Sequence, residues 1–191
     1  MANEFGVTAW GRVWLRTVEQ TTSSKPNPSL PTARTLARNG AVTLTDISAG
    51  NVSGTVTAKG KTSTVVVTVP LWEKKESDAA QRLLKSAGVK NRSVSTGELP
   101  DSVVADLRAL DIAVAVSISE CTATCDCSGK RSPCVHHLAV LYALAGRIDE
   151  EPALAVTLRS KRRTARRSAA AQTQSEWIPL YEIDVSTFYG S

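Results

Sequence analysis

The spacing of hydrophobic residues predicts a helix near the start of the chain. Trp10, Val13, Trp14 and Val18 recur at intervals of three and four, which places them on one face of a helix that Thr8 can cap. Two tryptophans on such a stripe are typical of a buried core. The functional alternative is a surface on which nucleobases stack, and that surface would need both rings exposed.

The spacing of the hydrophobic residues then shortens to every second position. Between Ala41 and Val69, valines and a leucine alternate with polar residues, and glycine turns at Gly50 and Gly60 interrupt them. This pattern predicts three antiparallel strands in a meander. Gly60-Lys61-Thr62 also looks like the end of a phosphate-binding loop, but position 55 is threonine rather than the glycine such a loop requires. We therefore interpret it as a hairpin turn.

Two helices and a further strand are predicted before the cysteines. The first helix lies within residues 71–87, with Gly88 as its stop, and the second follows Gly97-Glu98-Leu99-Pro100. The apolar stripe of the second helix consists of Val103, Val104, Leu107 and Leu110. Strict alternation from Ile112 to Ile118 predicts a strand that leads to Cys121. The fold class is therefore α+β, a small antiparallel sheet with packed helices.

All four cysteines and both histidines lie in one short stretch. Cys125 and Cys127 are two residues apart, so both sulfurs point to the same side of an extended segment. Six turn-forming or polar residues follow, and Cys134 and His136 then fall where a helix begins, a position that favours a thiolate. Zinc prefers four tetrahedral sulfur and nitrogen ligands. We predict that these four side chains form a strand-to-helix structural site for Zn²⁺.

Three alternatives to this ligand set exist. Disulfides are disfavoured because the N-terminus lacks the features of a signal peptide, so we expect a reducing cytoplasm. A redox pair is disfavoured because Cys-x-Cys is not Cys-x-x-Cys. Cys121 or His137 could replace or assist one ligand, although we expect Cys121 to be a buried strand residue and His137 to lie on the helix surface.

The motif Cys-x-Cys, six residues, Cys-x-His resembles the SWIM-type zinc finger, which continues from its histidine into a helix rich in alanine, valine and leucine, as residues 137–154 do here. The rest of the chain is similar to bacterial SWIM proteins through Trp10-Gly11-x-x-Trp14, the stretch Ala37 to Val42 and the segment Gly97 to Pro100. The resemblance implies binding to DNA or to protein, beside helicases, transposases or recombination factors.

A helix is expected after His136, with Gly146 at its end and Asp149 as the cap of a further short helix. Basic residues flank this region on both sides. Their cationic side chains suit phosphate contacts whose strength falls with salt. The predicted nucleic-acid surface consists of Lys130, Arg131, Arg159, Lys161, Arg162, Arg163, Arg166 and Arg167. The alternatives for the run from Arg159 are a solvated tail or contact with an acidic protein surface.

The C-terminal segment is too apolar for an ordinary tail. Its aromatic residues suit a partner surface, and Ile183 and Val185 alternate with polar residues as in a strand. The segment either folds back onto the sheet or docks on a partner. The predicted partner-binding residues are Trp177, Tyr181, Phe188 and Tyr189.

Length, charge and hydropathy limit the class of protein. The 191 residues suffice for one core and a tail, a formal charge of +5 favours an anionic partner, and no apolar run is long enough for a membrane. The predicted organisation is an N-terminal helix (1–20), linker and loop (21–40), α+β core (41–120), finger with following helices (121–158), basic linker (159–176) and aromatic C-terminal strand (177–191).

The predicted function is that of a noncatalytic zinc protein. Four protein ligands leave the metal no position for an activated water, and no nucleophile motif is present. We expect it to bind nucleic acid as an accessory to a larger helicase, recombination or transcription machine. The alternative is a protein-interaction adaptor that uses the finger and the aromatic segment.

Overall fold

The computed structural model describes residues 4–20, 27–90, 98–129 and 131–161. Within these residues it contains six α-helices and one four-stranded antiparallel sheet, which confirms the predicted α+β class. The elements in chain order are α1 Ala9–Glu19, α2 Leu30–Arg38, β1 Val42–Ser48, β2 Asn51–Ala58, β3 Lys61–Thr68, α3 Lys74–Lys90, α4 Ser102–Ala109, a 3-10 turn Ile118–Glu120, β4 Thr122–Cys125, α5 Val135–Glu150 and α6 Ala153–Arg159.

The sheet has the order β1-β2-β3-β4, and its first three strands form the predicted meander. Lys59 and Gly60 both have positive φ angles, 51° and 74°, as a tight hairpin turn between β2 and β3 requires. Alternate residues therefore divide between two faces. Val52 and Val56 of β2 and Val65 and Val67 of β3 are fully buried on the inner face, so the helices cover this face.

Helix α5 is the element on which the rest of the fold packs. It lies against the sheet and also contacts α1, α2 and α6. Gly146 does not end this helix as predicted, since α5 continues to Glu150. A Cβ at Gly146 would lie 3.1 Å from Cδ1 of Phe5, so the glycine permits close packing of Phe5 on the helix. Asp149 also lies inside α5 rather than capping α6.

Helix α1 confirms the prediction from the tryptophan stripe. Thr8 is its N-cap and accepts a hydrogen bond from the Gly11 N–H, while Trp10 and Trp14 are 0% and 2% exposed. The rings are therefore core residues and cannot serve as a stacking surface for bases. The indole N–H of Trp10 donates to the Pro100 carbonyl, which ties α1 to the start of the α4 region.

The region before the cysteines departs from the sequence prediction. Residues 112–117 form no strand, although Ile112, Val114 and Val116 are buried as their alternation indicated. Helix α3 continues past Gly88 to Lys90. In α4 the predicted stripe holds for Val103, Val104 and Leu107.

Leu110 follows α4 as its C-cap and is 53% exposed, so its predicted place in the stripe is wrong. In the described part of the chain, no helix is long and apolar enough to cross a bilayer.

Candidate metal centre

The first pair of cysteines is placed by β4, the edge strand next to β3. Cys125 is the last residue of β4 and pairs with Val65. Asp126 extends the contact, because its N–H donates to the Thr64 carbonyl at 3.3 Å and its carboxylate accepts from the Thr64 N–H at 3.0 Å. The sheet edge therefore holds Cys125 and the start of the following loop in one position.

The second pair is placed by the beginning of α5. Cys134 is the N-cap residue, and its sulfur accepts a hydrogen bond from the His137 N–H at 3.4 Å. His136 follows in the first turn. The prediction that Cys134 and His136 mark a helix start is confirmed, and the N–H groups of that turn stabilise negative charge on the sulfur.

The four predicted ligands come together between β4 and α5. Their donor atoms, three Sγ and one ring nitrogen, all lie within 4.8 Å of one another. The Cys125 Sγ lies 3.7 Å from Nδ1 of His136. Zn–S bonds of about 2.3 Å separate two sulfurs of a tetrahedral site by about 3.8 Å. Both the donor set and the spacing of this Cys₃His cluster fit Zn²⁺.

Two of the thiols have opposite electrostatic environments. Burial raises the pKa of Cys125 to about 12. A hydrogen bond with the backbone of Gly129 lowers the pKa of Cys127. A bound cation supplies the positive charge that turns a buried thiol such as Cys125 into a thiolate ligand at neutral pH. The environment of Cys125 therefore suits a bound metal cation.

The side chains of the two neighbouring candidates, Cys121 and His137, are not part of the four-residue cluster. Cys121 is half-buried just before β4, and burial raises its pKa to about 11. His137 is 6% exposed, so the prediction that it lies on the helix surface is wrong. Burial lowers the pKa of His137 to about 4, and its Nε2 has no hydrogen-bond partner among the described residues. We assign neither residue to the metal.

The predicted basic surface is described only in part. Arg131 is exposed and borders the cavity beside the cluster. Lys161 is exposed at the other edge of the sheet, in a groove beside the end of β1. Lys130, Arg162, Arg163, Arg166 and Arg167 lie outside the described residues, as do the aromatic residues Trp177, Tyr181, Phe188 and Tyr189.

Arg159 does not belong to an exposed basic surface, contrary to the prediction. It is 5% exposed, it donates a hydrogen bond to the Pro70 carbonyl, and its guanidinium carbon lies 5.8 Å from the centre of a Trp72 ring. A side chain held in this way has no free face for phosphate. Arg159 instead fastens the end of α6 to the segment between β3 and α3.

Comparison with known families identifies the segment that carries the cluster. The SWIM zinc finger model matches residues 103–145, a range that includes all four predicted ligands. Residues 103–145 match the SWIM zinc finger. The SWIM segment thus contains α4 except its first residue, β4, the metal cluster and α5 as far as Ala145. Comparisons with curated proteins and with solved structures give no match.

Sequence reasoning missed three residues, Asp126 beside the metal ligands and two lysines in the β2–β3 hairpin. Asp126 binds the loop to β3, and the only signal was an acidic residue between the two cysteines. Lys59 and Lys61 are exposed in the β2–β3 hairpin. Because β4 runs antiparallel to β3, it leads the chain toward this hairpin, and the loop with Arg131 begins at the same end of the sheet. The pairing of distant strands thus brings the two lysines and the start of this loop to one end of the sheet, which spacing along the sequence does not reveal.

Proposed function

We propose that the protein is a noncatalytic zinc-finger protein that binds nucleic acid as an accessory to a larger DNA or RNA machine. The observation that carries the proposal is the exposed Arg131 in the loop between the two ligand pairs of a SWIM segment. A loop fixed at both ends by a metal presents its cation at a constant position, and phosphate binding depends on such positioned cations.

The β2–β3 hairpin supports the same proposal. Lys59 and Lys61 are exposed at the end of the sheet from which the metal-bound loop begins. Thr57 and Thr62 are exposed next to them, and their hydroxyl groups lie 3.1 Å apart. Lysine, arginine and threonine side chains are common donors to phosphate oxygens. We therefore place the proposed phosphate surface at Lys59, Lys61 and Arg131, with the basic residues after Lys161 as a second contact.

A structural role for zinc supports the noncatalytic part of the proposal. Three cysteines and one histidine fill a tetrahedral site, as in structural centres, whereas catalytic zinc keeps one position for water or substrate. The metal then joins β4 to α5 and keeps the loop in place.

The test is a titration of the zinc-loaded protein with labelled single-stranded and double-stranded DNA and RNA at several salt concentrations. The first variant carries Lys59→Ala, Lys61→Ala and Arg131→Ala, and the second carries Lys161→Ala, Arg162→Ala, Arg163→Ala, Arg166→Ala and Arg167→Ala. Lys74→Ala with Lys75→Ala is the matched control, because these lysines are exposed at the start of α3.

We expect the binding of the parent protein to weaken steeply with salt. Each phosphate contact that a variant loses should lower the slope of log K against log salt by about 1. The control should bind as the parent does. Absence of binding at low salt would contradict the proposal. The alternative to test would then be the adaptor role, for which the predicted partner-binding residues are Trp177, Tyr181, Phe188 and Tyr189.

A further inference from the structure

A groove lies between the end of β1, helix α3 and helix α6, away from the metal cluster. Its volume is about 720 Å³, which is enough for several side chains. Ile47, Leu84 and Val156 line it, and all three are only partly buried. Exposed lysines, Lys85 and Lys161, stand at its rim together with Asp46, whose carboxylate accepts hydrogen bonds from Ser48 and Asn51. The groove therefore combines an apolar floor with two cations and one carboxylate that already has hydrogen-bond partners.

Helix α3 shows why this floor is uncovered. Among residues 74–87 only Ala80 is buried, although Ala79, Leu83, Leu84 and Ala87 are apolar. Of the described elements, α4 is its main neighbour. An amphipathic helix of this length normally covers its apolar side. The described part of the chain thus leaves the Leu84 side of α3 without a full packing partner.

The chain itself supplies a complementary sequence. Residues 176–182 read Glu-Trp-Ile-Pro-Leu-Tyr-Glu, five consecutive residues from Trp177 to Tyr181 without charge between Glu176 and Glu182. No lysine or arginine occurs in residues 168–191. Apolar side chains between two carboxylates suit an apolar floor whose charged rim, Lys85, Lys161 and Asp46, has a net positive charge.

The path from the groove to this sequence is short. Lys161 is the last described residue and lines the groove, and fourteen residues separate it from Glu176. Such a connection spans at most about 50 Å, which exceeds what a return to the groove requires. A tether of this kind gives an effective concentration in the millimolar range, which favours the segment of the same chain over a second copy.

We propose that residues 176–182 dock in the groove of their own chain, with Trp177 on the floor formed by Ile47, Leu84 and Val156 and with Glu176 and Glu182 beside Lys85 and Lys161. This contact covers the open side of α3.

Tryptophan fluorescence tests the contact in the full chain. Trp10, Trp14 and Trp72 are at most 2% exposed, so Trp177 is the tryptophan whose access to acrylamide depends on docking. We expect weak quenching in the parent protein and a several-fold increase with Leu84→Asp. Leu110→Asp, at an exposed leucine outside the groove, is the matched control and should leave quenching unchanged. Trp177→Phe should abolish the difference between the variants.

Charge reversal provides a second test that does not disturb the core. Lys85→Glu with Lys161→Glu should also increase quenching, and adding Glu176→Lys with Glu182→Lys should restore protection. Strong quenching of Trp177 in the parent protein would overturn the proposal, and so would protection that both groove variants leave intact. Light scattering is measured on the same samples, because protection that occurs only in a dimer would assign the groove to a second copy instead.

Discussion

The sulfur of Cys125 at the end of β4 lies 3.7 Å from Nδ1 of His136 in the first turn of α5. These two residues join an edge strand of the sheet to the helix on which the fold packs. A metal held by them, together with Cys127 and Cys134, therefore links the sheet to the core helix rather than stabilising a separate module.

Replacing a ligand should release the metal and loosen this link. We expect Cys127→Ser and His136→Ala each to lose tightly bound zinc and to destabilise the fold by on the order of 4 kcal/mol, since loss of a structural metal is among the largest single-residue effects. Zinc content and thermal melting measure the two effects. Cys121→Ser is the control, because Cys121 lies outside the cluster, and it should retain one zinc per chain.

Asp149 should matter for stability although it has no role at the metal. Its carboxylate accepts hydrogen bonds from the N–H groups of Gly6 and Thr8 and from the Thr8 hydroxyl, at 2.7 to 2.8 Å. Asp149→Ala leaves these donors without their partner, and we expect a loss of about 2 kcal/mol, or about 6 °C in Tm.

The neighbouring Glu150 provides the comparison for Asp149. It makes an exposed ion pair with Arg147 at 2.9 Å, and such pairs contribute about 0 to 1 kcal/mol. Glu150→Ala should therefore melt close to the parent protein. If the two substitutions lowered the melting temperature equally, the hydrogen bonds from Asp149 to the N-terminal segment would not contribute to stability as we expect.

Tyr142 predicts a loss of stability at alkaline pH. Burial, with a further contribution from Glu19, which accepts its hydroxyl hydrogen bond at 3.2 Å, raises the pKa of Tyr142 to about 12 from an ordinary value of 10.0. Between these values the unfolded chain releases the proton while the folded chain keeps it, so stability falls as pH rises through that range.

Melting from pH 8 to 11 in parallel with Tyr142→Phe measures this contribution. The parent should lose more stability than the variant above pH 10, because phenylalanine has no proton to release. Identical pH profiles would mean that the phenol is not held in its neutral form by the fold.

Arg159 and Lys161 should behave differently despite their closeness in sequence. Arg159→Ala removes a buried hydrogen bond to Pro70 and the contact with Trp72, and we expect a loss of about 2 kcal/mol. Lys161→Ala, at an exposed position, should leave melting unchanged. If Arg159→Ala were as stable as the parent, the assignment of this arginine to the core would be wrong.

Parts of the fold that depend on local chemistry were predictable. The Thr8 cap, the buried tryptophans, the β2–β3 hairpin and the four-ligand cluster each follow from residue type and short spacing. The zinc pattern is the clearest case, because the metal fixes both the number and the chemical nature of its ligands.

Other parts depend on contacts between distant residues. The alternation from Ile112 to Ile118 correctly indicated burial but not a strand, because a strand also needs a neighbour for its backbone, and β4 pairs with β3 only from Thr122. Gly146 lies inside α5, where its lack of a side chain leaves room for Phe5. Arg159 belongs to a basic run in the sequence, yet its contact with Pro70 places it in the core. Such outcomes depend on tertiary packing that periodicity does not encode.

The central claim is that Cys125, Cys127, Cys134 and His136 hold one zinc ion in a closed tetrahedral site. X-ray absorption spectroscopy at the zinc edge, on protein whose metal content has been measured, tests it most directly. We expect one zinc per chain with three sulfur neighbours at about 2.3 Å and one nitrogen neighbour at about 2.0 Å. A protein that retains no zinc, or a zinc with fewer sulfurs and a bound water, would contradict this ligand assignment.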